Sequence, residues 1–353
     1  MGAAKTNKIK AVAMLSGGLD SSLAVKIVAD QGIDIVGVNY NTGFCLTDHR
    51  RRMASLGLPI NPGSLCNQAL RAGAQWRIPV EIIDISEEYL LIFTNPKHGY
   101  GSAINPCIDC RIFMLQKTRR MMEDIGAVFI ITGEVLGQRP MTQMPRTLEL
   151  IEKESGCERL ILRPLSAKLL PPSLAEEKGW VDRDKLYGFN GRSRKPQISL
   201  AAELGLVDYP QPAGGCCFLT DKNYARRVQD LFKHSGKKSL SANQVLLLKV
   251  GRHFRLNQRA KAIVGRNQAE NLFLFDNSAG MTVLDSRNIP GPLTLVESQA
   301  LPEDLELAAR ITARYSDDKD HEEVEIKVCA PDSEPRLLHV QPLESRLCDK
   351  MRI

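Results

Sequence analysis

The stretch Ser16-Gly17-Gly18-Leu19-Asp20-Ser21-Ser22 constrains this chain more than any other. An apolar run from Ile9 to Leu15 precedes it, and in the segment Asp20 to Gln31 that follows, Leu23, Ala24, Ile27 and Val28 recur at helical spacing. Gly32 stands where such a helix would end. A buried strand, a glycine turn and a helix N-terminus together make an anion site: glycine lets backbone approach phosphate, and the first N–H groups and the dipole point at it. The spacing is not that of a Walker A loop, which needs a Lys before its Ser/Thr, nor the G-x-G-x-x-G of dinucleotide folds.

Further buried strands are expected at Asp34–Asn39, Val80–Asp84, Ala127–Thr132 and Arg159–Leu162, with helices at Ser64–Trp76 and Ile112–Ile125. Strands alternating with helices mean an α/β fold with a doubly wound parallel sheet, whose ligands sit at the carboxyl ends of the strands. Asn39-Tyr40-Asn41 and Thr132-Gly133-Glu134 fall at such ends, so Asn39, Thr132 and Gly133 join Ser16, Gly17, Gly18, Asp20, Ser21 and Ser22 as candidate nucleotide contacts. Arg139, Arg163 and Lys168 each follow an expected strand and supply cations that can neutralise phosphate. The run Gly191-Arg192-Ser193-Arg194-Lys195 adds a third basic cluster. The stretch SGGLDSS resembles the PP-loop of ATP pyrophosphatases, which implies an adenine nucleotide alpha hydrolase-like domain that binds ATP, with Asp20 near Mg²⁺ and pyrophosphate.

At 353 residues the chain has room for two or three domains. Charged residues at 25% and hydrophobic ones at 43% are globular values and argue against global disorder. No apolar run reaches membrane-spanning length, and the start MGAAKTNKIK lacks the apolar centre of a signal peptide, so a cytoplasmic protein without a membrane partner is expected. Three domains are expected: a PP-loop domain at 1–175, a middle segment at 176–235 and a β-rich, basic α+β domain at 236–353. Between residues 236 and 301 nine Lys/Arg face four Asp/Glu, which suits a polyanionic partner, as does the net charge of +6. Strands are expected there at Val245–Val250, Ala262–Val264, Leu272–Phe275, Thr282–Leu284 and Leu293–Val296, then a helix at Leu305–Tyr315 and strands near Val324–Val328 and Leu337–Val340. Gly43 to Pro62, with Arg50-Arg51-Arg52, reads as a mobile surface segment, and His49 and His98 as surface or structural histidines.

Nine cysteines in a cytosolic chain point to metal or redox chemistry rather than a disulfide scaffold. In Asn105-Pro106-Cys107-Ile108-Asp109-Cys110 two cysteines at C-x-x-C spacing can ligate one metal or exchange one disulfide, and a helix beginning beside them would stabilise thiolates. A second site is Gly214-Gly215-Cys216-Cys217-Phe218. Adjacent cysteines rarely both bind one ion, so the natural count is Cys107, Cys110 and one of Cys216 or Cys217, which suits a [4Fe–4S] cluster with one open iron better than a four-ligand zinc site. Cys45 and Cys66 have no partner at ligand spacing.

The combination of SGGLDSS, NPCIDC and GGCCF resembles the tRNA thiouridine synthases, both the 2-thiouridylases and the iron–sulfur-dependent tRNA thiolases. The resemblance implies adenylation of a uridine carbonyl, release of pyrophosphate and replacement of the oxygen by sulfur. It implies tRNA as substrate and an external sulfur donor, a cysteine desulfurase or sulfide, and is compatible with a homodimer. By register it makes Cys217 the second catalytic cysteine. The last third, through VGRHFRL and AIVGRN, is similar to the RNA-binding domain of ribosome quality-control proteins.

Overall fold

The computed structural model describes residues 8–59, 66–210, 217–237, 240–286, 290–317 and 319–353. The expected start of a helix at Ser64, and the expected sulfur residue Cys216 with Gly214 and Gly215, lie outside the described residues. The chain forms two compact units. The first takes residues 1–45 and 66–216, the second residues 46–65 and 217–353.

The elements of the first unit begin with β1 (Lys10–Met14), α1 (Leu19–Ala29) and β2 (Asp34–Asn41). The chain then leaves for α2 (Leu46–Ser55), which belongs to the second unit, and returns with α3 (Gln68–Trp76). There follow β3 (Val80–Asp84), α4 (Ser86–Thr94), α5 (Cys107–Asp124), β4 (Phe129–Thr132), α6 (Pro145–Ser155), β5 (Ile161–Leu162), α7 (Leu174–Glu177) and α8 (Lys195–Glu203). The five strands run parallel in the order β3-β2-β1-β4-β5. The order reverses between β1 and β4, and that switch point opens a crevice at their carboxyl ends.

Successive residues of β1 face opposite sides of the sheet. Ala11 and Ala13 enter one core with Leu23 and Val28 of α1 and Leu200 of α8, while Val12 enters another with Ile112 and Leu115 of α5 and Ile151 of α6. Helices therefore cover both faces, as the near-continuous apolar strands require. Met14 pairs with Thr132, so the residues after β1 and after β4 leave the sheet side by side.

The second unit adds α9 (Lys222–Ser235), α10 (Ala242–Leu247), β6 (Arg252–Arg255), β7 (Lys261–Val264), α11 (Gln268–Asp276), β8 (Thr282–Ser286), β9 (Thr294–Val296), α12 (Pro302–Arg314), β10 (Val324–Cys329), β11 (Arg336–Val340) and α13 (Ser345–Met351). Its six strands form an antiparallel sheet, β11-β10-β8-β9-β7-β6. One core lies beneath α12, and a second gathers Met53 of α2 with Phe273 and Leu274 of α11.

Three local expectations are corrected. Val245–Leu247 close α10, Leu248–Val250 form the turn after it, and Leu272–Phe275 lie in α11, rather than in strands. A short apolar run cannot separate a buried strand from a buried helix, and here the caps decide. Ser241 and Gln244 form a reciprocal capping box, and the Asn267 side chain accepts the Glu270 N–H. The supposed surface segment after Gly43 carries α2, held in the second unit by Met53 and by the His49 ring, whose centroid lies 5.0 Å from that of Phe218 and 5.7 Å from that of Phe273.

Candidate functional site

The loop Ser16–Ser22 begins as β1 ends, and Gly18 is the N-cap of α1. Gly17 sits at φ +76°, where an L side chain is strained, and its own surroundings forbid one: a Cβ there would lie 2.2 Å from the Gln68 carbonyl carbon at the start of α3. Asn67 caps that helix, accepting from the N–H groups of Ala69 and Leu70 at 2.8 and 3.2 Å. From the other side, a Cβ on Gly133 would lie 2.4 Å from the Ser21 nitrogen. The loop is thus pressed between the α3 N-terminus and the strand end after β4, with glycine on both contact surfaces.

The hydroxyls of Ser21 and Ser22 both donate to the Gly18 carbonyl at 3.0 Å, and Ser16 Oγ lies 3.1 Å from Ser21 Oγ. They fix the turn, which leaves the N–H groups of the first helical turn to face an anion. The Asn39 amide donates to the Leu15 carbonyl at 2.9 Å and braces the end of β1. Thr132 donates through Oγ1 to Glu134 Oε2 at 3.1 Å.

Asp20 is the acidic centre. Gln138 donates to its Oδ2 at 2.9 Å, and an Arg194 guanidinium nitrogen lies 3.7 Å from the same oxygen. Its second oxygen, Oδ1, is buried without a hydrogen-bond partner. A buried carboxylate oxygen left unpaired is costly, so the position suits a cation or a bound donor. Behind Gln138, the fully buried Gln197 of α8 donates to its Oε1 at 3.4 Å. The sequence gives no charge or spacing by which Gln138 and Gln197 stand out; Arg194 was visible only as one member of a basic run. Arg139 is exposed, and Lys168 donates to the Asp184 carbonyl at 2.9 Å; among the described residues neither makes a hydrogen bond or ion pair to the loop.

Glu134 and Arg163 serve the scaffold. Glu134, 1% exposed, accepts from Arg163 Nε at 3.0 Å and lies 3.0 Å from Arg111 Nε, and Arg163 also pairs with Glu152. Burial alone would raise the Glu134 carboxyl, but Arg111 and Arg163 outweigh it and hold it below its ordinary value. This network joins α5, through Arg111, to the loop after β4 and to α6.

Cys107 and Cys110 stand on the first turn of α5, an 18-residue helix, where the dipole favours thiolate. Asn105 Nδ2 donates to Cys107 Sγ at 3.1 Å and to Met141 Sδ at 3.3 Å. Between the two cysteines, Asp109 accepts from the N–H groups of Lys97 and His98 at 3.1 and 3.0 Å and from the His98 ring at 3.0 Å, so His98 is structural. Cys217 opens the second unit, its carbonyl accepting the Thr220 hydroxyl at 2.9 Å. Among the described residues no three His, Cys, Asp or Glu side chains gather as a metal site, and Cys216 is not among them. The residues fit ATP and a cation at Asp20; of the expected cluster ligands the structure brings together one helical turn with two thiols.

Residues 9–139 match the family model for the tRNA methyl transferase HUP domain, and residues 251–351 match that for the NFACT protein RNA binding domain. The tRNA-specific 2-thiouridylase MnmA of Xanthobacter autotrophicus is 27% identical over 231 residues, 63% of this chain and 54% of that protein. The enzyme of the same name from Azorhizobium caulinodans is 28% identical over 65% of this chain and 55% of its own length. The chain therefore spans about half the length of the curated relatives it matches. Among solved structures, a 4-thiouridine synthetase in complex with RNA and bound ATP is similar at 22% identity and a TM-score of 0.36, over 56% of this chain and 41% of that one.

Proposed function

We propose, for a chain that is a PP-loop relative of the tRNA thiouridylases joined to an NFACT-type RNA-binding domain, ATP-dependent thiolation of a tRNA uridine. The observation that carries the ATP half is the glycine-walled loop: Gly17 and Gly133 each exclude a Cβ, and Asp20 Oδ1 is left for a cation. In this proposal Ser16, Gly17, Gly18, Ser21 and Ser22 hold the triphosphate. Asp20 positions Mg²⁺, which would neutralise charge on the phosphate oxygens. The uridine carbonyl oxygen attacks the α-phosphorus, the bond to the β-phosphate oxygen breaks, and pyrophosphate leaves with its electron pair. Arg194 supplies the nearest cation. The base must leave its stack to reach the crevice.

A sulfur nucleophile then displaces AMP from the adenylated carbon. Cys107 and Cys110, with Cys216 or Cys217, are the sulfur-handling residues, and two chemistries fit them. A three-cysteine [4Fe–4S] cluster would supply an open iron site for sulfide. Alternatively, Cys216 or Cys217 would carry a persulfide that Cys107 or Cys110 resolves as a disulfide. In the proposed division of labour, the unit of residues 1–45 and 66–216 carries the adenylation and the unit of residues 46–65 and 217–353 holds the RNA. Sulfur is delivered either as sulfide to the cluster or, in the persulfide route, as sulfane sulfur passed from an external cysteine desulfurase.

The test is pyrophosphate release by protein purified anaerobically, with and without tRNA. Release that depends on tRNA, followed by a thionucleoside in the digested RNA, is the expected result. Release driven by a small carboxylic acid with tRNA inert would replace the proposal by a metabolite ligase. A brown protein with about four irons per chain selects the cluster, and a colourless active one selects the persulfide route.

A further inference from the structure

The second unit holds a concentration of positive charge that its own fold does not neutralise. Arg227 of α9, Arg252 of β6, Arg266 after β7 and Arg352 near the chain end act on one another electrostatically across separate elements. The C-terminal segment is held beside β6 by a Phe254–Arg352 bridge and by the Ile353 N–H, which donates to the His253 carbonyl at 3.0 Å. One carboxylate lies at the centre: Glu270, 4% exposed, which accepts the Gly251 N–H at 3.1 Å and the Arg266 N–H at 2.9 Å and is gripped by the Arg266 guanidinium. Arg266 thus consumes it.

The other three arginines have no carboxylate at ion-pair distance among the described residues. Arg227 donates to the carbonyls of Leu248 and Gly251 at 2.8 and 3.3 Å, and its Nε is buried without a partner. Arg252 donates to the Gly265 carbonyl at 3.4 Å, and its guanidinium lies 4.6 Å from the centre of the Tyr315 ring. Arg352 and Arg266 are exposed. Burial, then the charge of Arg266, pushes Arg227 down to about 10, and the N-cap Asp221 is the first acidic group to offset it. Arg227 and Arg252, half-buried cations without a counter-ion among the described residues, are costly unless an anion docks.

We propose that Arg227, Arg252, Arg266 and Arg352 form a cradle for consecutive phosphodiesters of RNA, with Tyr315 holding the Arg252 plane toward the backbone. The assignment rests on the RNA-substrate reading given above. Rigid, fork-shaped guanidiniums suit phosphate oxygens better than flexible ammonium groups do. Contacts of this kind fix position and carry no sequence information.

The experiment compares full-length wild-type protein, Arg252→Gln/Arg352→Gln and the charge-matched control Arg259→Gln/Arg346→Gln, for binding of labelled tRNA across a KCl series. Arg259 and Arg346 are exposed positions of the same unit, and matched thermal melts establish that both variants fold. The cradle variant is expected to bind about tenfold more weakly near 0.15 M salt, with the slope of log K against log salt smaller by 1 to 2, about one unit or less per lost contact. The control keeps wild-type affinity and slope. Equal losses in both variants, or none in the cradle variant, overturn the cradle. A cradle variant that loses inorganic phosphate binding but keeps tRNA binding also overturns it, because the site then takes a free anion. Wild-type protein that binds a ribosomal RNA hairpin but not tRNA, with that binding lost in the cradle variant, leaves the cradle standing and sinks the tRNA substrate instead.

Discussion

Gly133→Ala is the sharpest probe of the loop, because its effect can be worked out from geometry. The added Cβ would lie 2.4 Å from the Ser21 nitrogen, 2.5 Å from its Cα and 2.6 Å from the Asp20 carbonyl carbon. All three are backbone atoms of the first turn of α1, so no side-chain rotation relieves the contact. Ordinary van der Waals separation requires about 1 Å of displacement of the helix start or of the strand end after β4. Overpacking of this size costs about 1–3 kcal/mol of stability, a drop of several degrees in the melting temperature of a unit this large. A 1 Å misplacement of a reacting group costs about 100-fold in rate, so ATP-dependent pyrophosphate release should fall by that order while the unit still folds. The comparison is Gly188→Ala in the same unit, whose Cβ would meet its nearest neighbour at an ordinary 3.5 Å. Differential scanning calorimetry and a pyrophosphate assay read the two effects. Gly133→Ala protein with unchanged melting and unchanged release would refute the claim that the loop is wedged against β4 and that this wedge sets the nucleotide geometry.

Glu134→Gln should destabilise the first unit by about 3–5 kcal/mol in urea unfolding, since it leaves Arg163, itself 5% exposed, with only Glu152; Glu134→Gln/Arg163→Met should recover much of that loss, and a single variant of wild-type stability would contradict the network. His49 is held down to about 4, first by burial and then by Lys249, so between pH 6.5 and 4 the unfolded chain binds a proton that the folded chain refuses. Stability of the second unit should therefore fall as pH drops through that window, with His49 contributing up to about 1.4 kcal/mol per pH unit. Buried His253 acts in the same direction. His49→Phe, which keeps aromatic contact with Phe218 and Phe273, should reduce the slope by about one proton when hydrogen exchange of second-unit peptides is followed against pH; an unchanged slope would show that His49 does not titrate on unfolding.

The parallel sheet and its loop were legible because their signals are local. Apolar runs of strand length, a Gly-Gly turn and a helical repeat need no knowledge of distant residues. Asn105 and the paired cysteines were equally visible, being neighbours in sequence. The helices α10 and α11 were misread from runs of leucine and phenylalanine that fit either period, although Ser241–Gln244 and Asn267–Glu270 carried cap signals that could have corrected them.

The sequence by itself therefore determined that a Gly-Gly turn joins a buried strand to a helix, and that Cys107 and Cys110 stand one turn apart at a helix start. Tertiary structure alone decided which polar residues converge on Asp20 and which pair with one another away from it. Gln138 and Arg194 converge on Asp20 from 118 and 174 residues away, with Gln197 behind Gln138, whereas Glu134 and Arg163, equally plausible as ligands, are turned inward to neutralise each other. The physical reason is that a charged side chain's role is set by what neutralises it, and neutralising partners are chosen by packing across the fold, not by spacing along the chain.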